Sequence, residues 1–329
     1  HFKLFLVKLI ITKENYSSKG RVMLKTGGLT IITILTLLVS TEALTFADEV
    51  KTINVLKDVY TITGGDGVDS NTTFIITKEG VIIIDTRPTP SEARKVLKEI
   101  RKLTDLPIVY TINTHYHGDH TFGNQVFKSS KSIIAHKNVR NTLIKSGQDH
   151  LSLFKTFGLP GMDEVEVTPP NILYEKEMEI WLGGYRLQLI HHGKGHTNGD
   201  TIIFIDQLRT VITGDLVFNK KIPYMADAYI EDWIKSLKYI ELLKNETVIP
   251  GHGPIGGRPT VIAMKHYLID LKENVLQQLN DKKSLEETQS AVEPILRKKY
   301  KDWKQLDWIK GNIERAWQEY SSKEKSVAF

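Results

Sequence analysis

The sequence predicts an α/β fold in which two β-sheets pack face to face and helices cover their outer sides. Short runs of β-branched and aromatic residues alternate with amphipathic stretches along most of the chain. The same order recurs in each half: a strand, then a loop carrying His or Asp, then a helix. The 329 residues are 40% hydrophobic and 25% charged, a composition typical of a globular protein with a substantial core.

The first half contains five predicted strands and one predicted helix. The strands lie at residues 53–56, 60–63, 73–76, 81–84 and 108–112. Turn signals separate them, such as Gly64-Gly65 and Glu79-Gly80. A helix is predicted over residues 91–103 because its apolar side chains fall at helical spacing.

The second half repeats this style and then becomes helical. Strands are predicted at residues 185–190, 201–205, 210–212 and 247–249, and a helix at 233–243. From Pro259 the chain turns helical and highly charged, with an apolar stripe that begins at Met264 and ends at Leu279. Such a stripe is far more often a packing face than a cofactor or partner site. We therefore predict a domain at 48–258 and a helical C-terminal extension at 259–329 packed on it.

Charge and cysteine content exclude several classes of function. Residues 1–47 carry +4 of the formal net charge of +5, so the remainder is nearly neutral and has no basic surface for nucleic acid. The chain contains no cysteine, which excludes disulfides, thiolate metal sites and a catalytic thiol. The expected partner is a small-molecule substrate, and nucleic acid is not expected.

The first 47 residues are typical of a secretory leader. Met23 is a plausible start, Lys25 precedes an apolar run from Leu29 to Val39, and Ala47 is a small residue at the expected cleavage site. The run is short for a membrane span, so an uncleaved anchor is the less favoured alternative. We expect a signal peptide from about Met23 to Ala47, a periplasmic or secreted protein, and no stable membrane anchor after cleavage.

One short segment after the predicted strand at 108–112 concentrates metal-ligand residue types. It holds His115, His117, Asp119 and His120 around a glycine that lets the chain bend. His115 and His117 can point the same way because side chains alternate along an extended segment. Imidazole and carboxylate ligands together suit Zn²⁺.

Three further ligand types follow predicted strands later in the chain. They are His196 in Gly195-His196-Thr197, Asp215 in Thr213-Gly214-Asp215, and His252 in Gly251-His252-Gly253. A glycine adjoins each of them, as expected where the backbone approaches an ion closely. Loops at strand ends are where functional groups gather on a rigid scaffold.

The order HxHxDH, GHT, GD and PGHG resembles the metallo-β-lactamase superfamily over roughly residues 50–260. The resemblance implies an αββα sandwich with two zinc ions per chain at one edge of the sheets. It implies that His115, His117 and His196 hold the first zinc, that Asp119, His120 and His252 hold the second, and that Asp215 bridges both. Asp85 matches the family's supporting aspartate, although a cap at the end of a strand is an equally good interpretation of it.

The resemblance also implies hydrolysis by a metal-bridging hydroxide, with Asp119 orienting the nucleophile. The expected function is zinc-dependent cleavage of a small amide, ester or thioester, with β-lactamase activity as a side reaction. Asp215 stands where β-lactamases with a zinc-bound cysteine have Cys, and Phe218 offers no cation for a substrate carboxylate. A glyoxalase II-like thioesterase or lactonase is one alternative, and an exported zinc-binding module without catalysis is another.

Several other residues have weaker claims. Metal ligation by His191 or His192 is a minor alternative to a structural role. Lys220 and Lys221 are expected to be solvated rather than to bind substrate. Trp181, Phe154, Tyr224 and Met225 are predicted in or beside loops, where core packing is their commoner fate.

Overall fold

The structure is a computed structural model that describes residues 50–64, 68, 70–128 and 132–327, without the side chains of 323–327. The predicted leader at 1–47 lies outside the described residues. Along the described part of the chain, none of the helices combines the length and the apolarity that a membrane span requires.

The first sheet has seven strands whose spatial order follows the chain. They are β1 (Lys51–Leu56), β2 (Val59–Thr63), β3 (Thr72–Ile76), β4 (Val81–Ile84), β5 (Ile108–Ile112), β6 (Ile133–His136) and β7 (Ile172–Tyr174). Neighbours from β1 to β4 run antiparallel, and neighbours from β4 to β7 run parallel. This mixed sheet therefore places the carboxyl ends of β4 and β5 at one edge.

The second sheet has five strands in the order β12-β11-β10-β9-β8. They are β8 (Glu177–Leu182), β9 (Tyr185–Ile190), β10 (Ile202–Ile205), β11 (Thr210–Phe218) and β12 (Thr247–His252). Only β11 and β12 pair in parallel among these described strands. Their carboxyl ends consequently lie side by side.

Seven α-helices accompany the described strands. They are α1 (Pro90–Arg101), α2 (Gly118–Thr121), α3 (Lys137–Lys155), α4 (Ile230–Leu242), α5 (Arg258–Asn280), α6 (Leu285–Lys299) and α7 (Ile309–Val327). A 3₁₀ turn at Leu306–Trp308 leads into α7. Local signals explain where helices begin: the Thr89 side chain accepts from the backbone N–H of Glu92 at α1, and Ser284 with Glu287 forms a capping box at α6.

Alternation along the strands builds the layers. In β4, Ile82 and Ile84 join the core between the two sheets, whereas Val81 and Ile83 pack with α1 on the outer side. In β10, Ile203 faces the core between the sheets and its neighbours face the helices of the other outer side. Because both faces of these strands are buried, their sequences are continuous apolar runs. The predicted sandwich of two mixed sheets with outer helices is confirmed.

The predicted helical C-terminal region is present as α5, α6 and α7. One apolar core joins Trp233 of α4, Leu268 of α5, Val292 of α6 and Ile313 of α7 on the outer side of the second sheet. The predicted stripe from Met264 to Leu279 belongs to this core, which agrees with a packing role. The predicted boundaries at 47 and 258 stay predictions.

Candidate metal centre

The first four candidate ligands follow β5 at the edge of the first sheet. The segment was predicted as a loop, but residues 118–121 form the helical turn α2. His115 and His117 precede this turn and Asp119 and His120 lie within it. The helical turn directs Asp119 and His120 toward one point. His115 and His117 face a second point beside it.

The other three candidate ligands come from the second sheet. His196 lies between β9 and β10, and His252 is the last residue of β12. Asp215 is not in a loop after a strand, as predicted, but inside β11, where the register shifts on either side of Gly214. Gly214 has φ 50°, and a Cβ there would lie 2.5 Å from the Thr114 side chain, so this bend requires glycine.

The seven candidate ligands form two groups. His115, His117, His196 and Asp215 make the first group, and Asp119, His120 and His252 make the second. Within each group the ligand atoms lie within 4.8 Å of one another. In the first group, His117 Nδ1 is 2.9 Å from His196 Nε2. In the second, His252 Nε2 is 3.1 Å from Asp119 Oδ2.

Asp215 lies between the two groups. Its Oδ2 is 3.3 Å from His196 Nε2 in the first group and 3.4 Å from His252 Nε2 in the second. Its Oδ1 is 3.2 Å from His120 Nε2. Ligand atoms around a tetrahedral zinc are about 3.3 Å apart, since each lies about 2.0 Å from the ion. The observed separations therefore match the edges of metal coordination polyhedra.

The polar atoms of this cluster also fit a cation. All seven side chains are buried. His115 Nε2 and Asp215 Oδ1 are buried without a hydrogen-bond partner, although a buried polar atom left unpaired is costly. Both atoms carry a lone pair with which they could coordinate a metal ion.

Burial and neighbouring charges shift the pKa values of the carboxylates and of the histidines in this cluster differently. Burial alone would raise the pKa of Asp119 and Asp215, but the neighbouring histidine charges hold both well below the ordinary range. Burial lowers the pKa of His196 to about 3. Burial works the same way on His252, yet the Asp215 and Asp119 carboxylates overcome it and raise its pKa to about 9. Binding a cation therefore means displacing protons from the second group.

Asp85, at the end of β4, holds the metal-binding segment in place. Its Oδ1 accepts from the Thr114 backbone N–H (2.8 Å), and its Oδ2 accepts from the Thr114 hydroxyl (2.7 Å). His120 Nδ1 lies 2.8 Å from the same Oδ2, which leaves His120 Nε2 facing the second group. Asp85 has φ 61°, a strained conformation for a residue other than glycine. Of the two interpretations left open by the sequence, the contacts favour the supporting aspartate.

Two further supporting carboxylates were missed from the sequence. Asp227 Oδ2 lies 3.0 Å from His117 Nε2, so it orients His117 with Nδ1 toward His196. Asp200 accepts from the backbone N–H and the hydroxyl of Thr197, next to His196. The turn signal Asn198-Gly199 could have indicated Asp200. Asp227 lies in a loop without any motif that would have indicated it.

The remaining candidates lie outside the two groups. His191 stacks on His136 with ring centroids 3.8 Å apart, and His192 stacks on Tyr239. Lys220 is exposed as predicted, but Lys221 is buried, so its predicted solvation is wrong.

The apolar and aromatic candidates differ in how far they are buried. Trp181 lies near the end of β8, beside the Gly183-Gly184 turn as predicted, but it is 65% exposed, so core packing does not describe it. Phe154 lies next to the last residue of α3. Met225 is buried as expected. The Tyr224 ring is partly exposed 5.8 Å from the His117 ring and thus lies beside the first group.

Comparison with known proteins gives this geometry a family context. The family model of the metallo-beta-lactamase superfamily matches residues 65–252, the range that contains both groups. The chain is 25% identical over 203 residues to a metallo-beta-lactamase type 2 from Bacillus cereus, covering 59% of this chain and 71% of that protein. It is 23% identical over 219 residues to a linear primary-alkylsulfatase from Pseudomonas sp. (strain ATCC 19151), covering 56% of this chain and 41% of the sulfatase.

Solved structures show the same fold. A metallo-beta-lactamase from Pontibacter korlensis aligns with TM-score 0.57 and 19% identity, covering 67% of this chain and 99% of that one. The sec-alkylsulfatase Pisa1 from Pseudomonas sp. aligns with TM-score 0.68 and 18% identity, covering 83% of this chain and 50% of that one. At these identities the likeness concerns the fold alone.

Proposed function

This chain belongs to the metallo-beta-lactamase superfamily, and from that premise we propose that it is a zinc-dependent hydrolase of a small ester, thioester or amide. The observation that carries the proposal is the pair of His and Asp groups that share Asp215. A closed structural zinc site needs one complete ligand set, whereas two adjacent sets are typical of hydrolytic centres. This favours catalysis over the alternative of a binding module that keeps zinc for structure.

The donor atoms favour zinc among the divalent ions. Five imidazoles and two carboxylates suit Zn²⁺ better than Mg²⁺ or Ca²⁺, which prefer oxygen ligands. His115, His117 and His196 would hold one ion, Asp119, His120 and His252 the other, and Asp215 both. The ions would supply Lewis acidity and lower the pKa of water toward 7.

The chain's own residues would position the reactants. The ionised Asp119 carboxylate, beside His120 and His252, is suited to accept a hydrogen bond from the attacking water and so to orient it. Asp227 keeps His117 oriented, and Asp85 does the same for His120. Because all seven ligands are buried, bulk water is kept from their inner sides.

The residues near the second group predict weak β-lactam hydrolysis. The Phe218 ring stacks on His252 with centroids 4.9 Å apart, so an apolar face occupies the side where a cation would receive the carboxylate of a β-lactam. Lys221 is buried and Lys220 is exposed. We expect a kcat/KM for nitrocefin well below the diffusional ceiling of about 10⁸ M⁻¹s⁻¹. A kcat/KM near that ceiling, measured by steady-state kinetics, would instead establish β-lactams as the main substrates.

Sulfate ester hydrolysis is a second candidate function. The sec-alkylsulfatase structure covers 83% of this chain, against 67% for the Pontibacter korlensis β-lactamase. The structural similarity to the sulfatase therefore extends beyond the domain that sulfatases and β-lactamases share. The chain spans about half of that sulfatase, so this candidate rests on the common part alone.

One substrate panel separates these functions. The full chain, reconstituted with zinc, would be assayed on chromogenic carboxylic esters, thioesters, lactones, nitrocefin and an alkyl sulfate, with Asp215→Ala as the inactive control. We expect turnover of at least one carboxylic ester or thioester that Asp215→Ala abolishes. Turnover of the alkyl sulfate alone would replace the proposal with the second candidate. Two bound zinc ions without turnover of any substrate would support the binding module.

A further inference from the structure

A groove opens beside the first metal group. It has a volume of about 360 Å³ and is lined by Tyr116, Asn198, Ala226, Asp227, Tyr229, Arg315 and Gln318. This volume lies within the range of small-molecule sites, about 300–1,000 Å³. Asp227 connects the groove to the metal centre because its carboxylate contacts His117. A substrate part lying in the groove would thus be close to the reacting atoms.

One wall of the groove comes from the C-terminal helix α7. Asn312 Nδ2 donates to the Pro223 carbonyl oxygen (3.0 Å), and Arg315 donates to the Ala228 carbonyl oxygen. Glu319 Oε2 accepts from the Ile230 backbone N–H (2.9 Å). These contacts tie α7 to the segment at 223–230 that carries Asp227. The groove therefore has a fixed wall supplied from outside the region that the family model matches.

Two charged side chains line the groove, and one of them is already engaged. The Asp227 carboxylate accepts hydrogen bonds from His117 and Tyr116. The Arg315 guanidinium has five N–H donors, one of which goes to Ala228. Its nearest carboxylate contact, to Glu319, is long at 3.6 Å. Arg315 thus retains donors for an anion in the groove.

A second cation lies near Tyr229, one of the residues that line the groove. Lys194 Nζ lies 4.5 Å from the centroid of the Tyr229 ring, and Arg315 lies 6.0 Å from the same ring. A neighbouring groove that shares Arg315 is lined by the carboxylates of Glu231, Asp232 and Glu319, which would repel an anion. The groove beside Asp227 is lined by one carboxylate, already engaged by His117 and Tyr116, against three in its neighbour, and is therefore the better place for an anion.

We propose that α7 forms one wall of the substrate site and that Arg315 there binds a carboxylate carried by the substrate, away from the bond that is cleaved. The planar guanidinium matches a carboxylate with two parallel hydrogen bonds, which a lysine cannot reproduce. The inference rests on the proposed hydrolase function and adds a substrate class to it: small carboxylated esters, thioesters or amides. Arg315 is a specificity-determining residue in this view.

The test compares two esters that differ only in the remote carboxylate. Mono-4-nitrophenyl adipate and 4-nitrophenyl hexanoate would be assayed with the zinc-loaded full chain and with Arg315→Ala and Arg315→Lys. Lys310→Ala is the matched control because Lys310 is an exposed cation of α7 that does not line the groove. We expect Arg315→Ala to lower kcat/KM at least 10-fold for the adipate ester and less than 2-fold for the hexanoate ester. Arg315→Lys should fall between, and Lys310→Ala should change neither rate.

A purely structural role for Arg315 would lower both rates equally, and that result overturns the proposal. Binding of adipate itself, measured by calorimetry, keeps this test independent of turnover. Adipate binding at least 10-fold weaker in Arg315→Ala supports the carboxylate site even if no ester is hydrolysed, in which case the proposed function alone fails. Adipate binding that is unchanged in Arg315→Ala overturns the carboxylate site even if both esters are hydrolysed.

Discussion

Asp215 is the residue that contacts both groups of candidate ligands. Its two oxygens contact His196, His252 and His120, and no other described candidate ligand reaches both groups in this way. The bend at Gly214 places this carboxylate within a strand, where the neighbouring β12 fixes it. Such rigidity is what a shared ligand needs, because a small displacement would alter both sites.

Asp215→Ala should leave the fold intact and reduce the zinc content from about two ions to one or fewer. Turnover should fall by more than the roughly 10–100-fold that loss of an outer partner costs, because a shared ligand is removed. Elemental analysis and kinetics measure both effects. Asp206→Ala, an exposed substitution of the same kind, is the control. Two zinc ions and near-normal rates in Asp215→Ala would show that the shared role is wrong.

Asp200 gives the native protein a pH dependence of known sign. Burial raises the pKa of this carboxyl to about 7, against 3.8 ordinarily, despite the opposing hydrogen bonds from Thr197. A folded-state pKa above the unfolded value stabilises the protein at low pH, and this contribution is lost as the pH rises through 7.

Asp200→Asn should remove this dependence. As the pH rises from 5 to 8, the free energy of unfolding of the wild type should fall relative to that of Asp200→Asn. Chemical denaturation of both proteins at several pH values measures the difference. A difference that stays constant over this range would mean that Asp200 is ionised throughout.

At the scale of elements, the predictable parts are those with strong periodicity or turn signals. The fully buried β4 and β10 are continuous apolar runs, and α1 has both a cap and an apolar stripe. The strands β7 and β8 were missed because they lie at sheet edges, where most side chains are exposed and the apolar pattern is weak. The fully buried β6 was missed as well, because an apolar run this short does not identify a strand by its periodicity. The helix α3 was missed because its buried stripe is one residue wide and includes Gly147.

The sequence indicated the candidate metal ligands but not the residues that surround them. All seven ligands carry motifs, so the sequence could indicate them before any geometry was known. Asp227 and Arg315 could not be found in this way, because they reach the site through tertiary packing from a loop and from the C-terminal helix. Motifs thus mark the chemistry, while the residues that orient and select follow from the fold.

The junction of β11 and β12 offers a test at this scale. A Cβ at Gly251 would lie 1.9 Å from Asp215 Oδ1 and 2.7–2.8 Å from backbone atoms of Gly214 and Asp215, so Gly251→Ala must displace both the shared carboxylate and the backbone that carries it. We expect reduced zinc content and lost turnover with the fold retained. Gly311→Ala in α7 is the control, since nothing lies within 4 Å of its Cβ and the helix should gain about 0.5–1 kcal/mol. Equal zinc content in both variants would contradict the steric argument.

At the scale of the whole molecule, the site draws on both sheets and the groove draws on the C-terminal region. His115, His117, Asp119 and His120 follow the first sheet, whereas His196, Asp215 and His252 belong to the second. The packed core between the sheets sets the distance between these two sets. Stability and metal binding should therefore be coupled.

Removing metal should lower the melting temperature of the full chain. Zinc at 100 times its dissociation constant stabilises the native state by about 2.7 kcal/mol per site, since the unfolded chain has no such site. One kcal/mol shifts the melting temperature of a domain of this class by about 2–4 °C. Calorimetry with and without a chelator measures the shift, and readdition of zinc should restore it. An unchanged melting temperature would mean that the ligands hold no metal in the native state.

Each ligand group contains residues from both sheets, so an ion bound there would act as a cross-link in a chain that has no disulfide. His117 and His196 are 79 positions apart. Closing a loop of that length lowers the entropy of a disordered chain by an amount worth about 4.5 kcal/mol in polymer models. One edge of the sandwich would then be closed by ligation, while the opposite edge is held by side-chain packing and by hydrogen bonds such as that from the Tyr185 hydroxyl to Asp58 Oδ2 (2.8 Å). Without its ions, the molecule should first open at the ligated edge, which backbone amide exchange along β5 and β12 would register before any other strand.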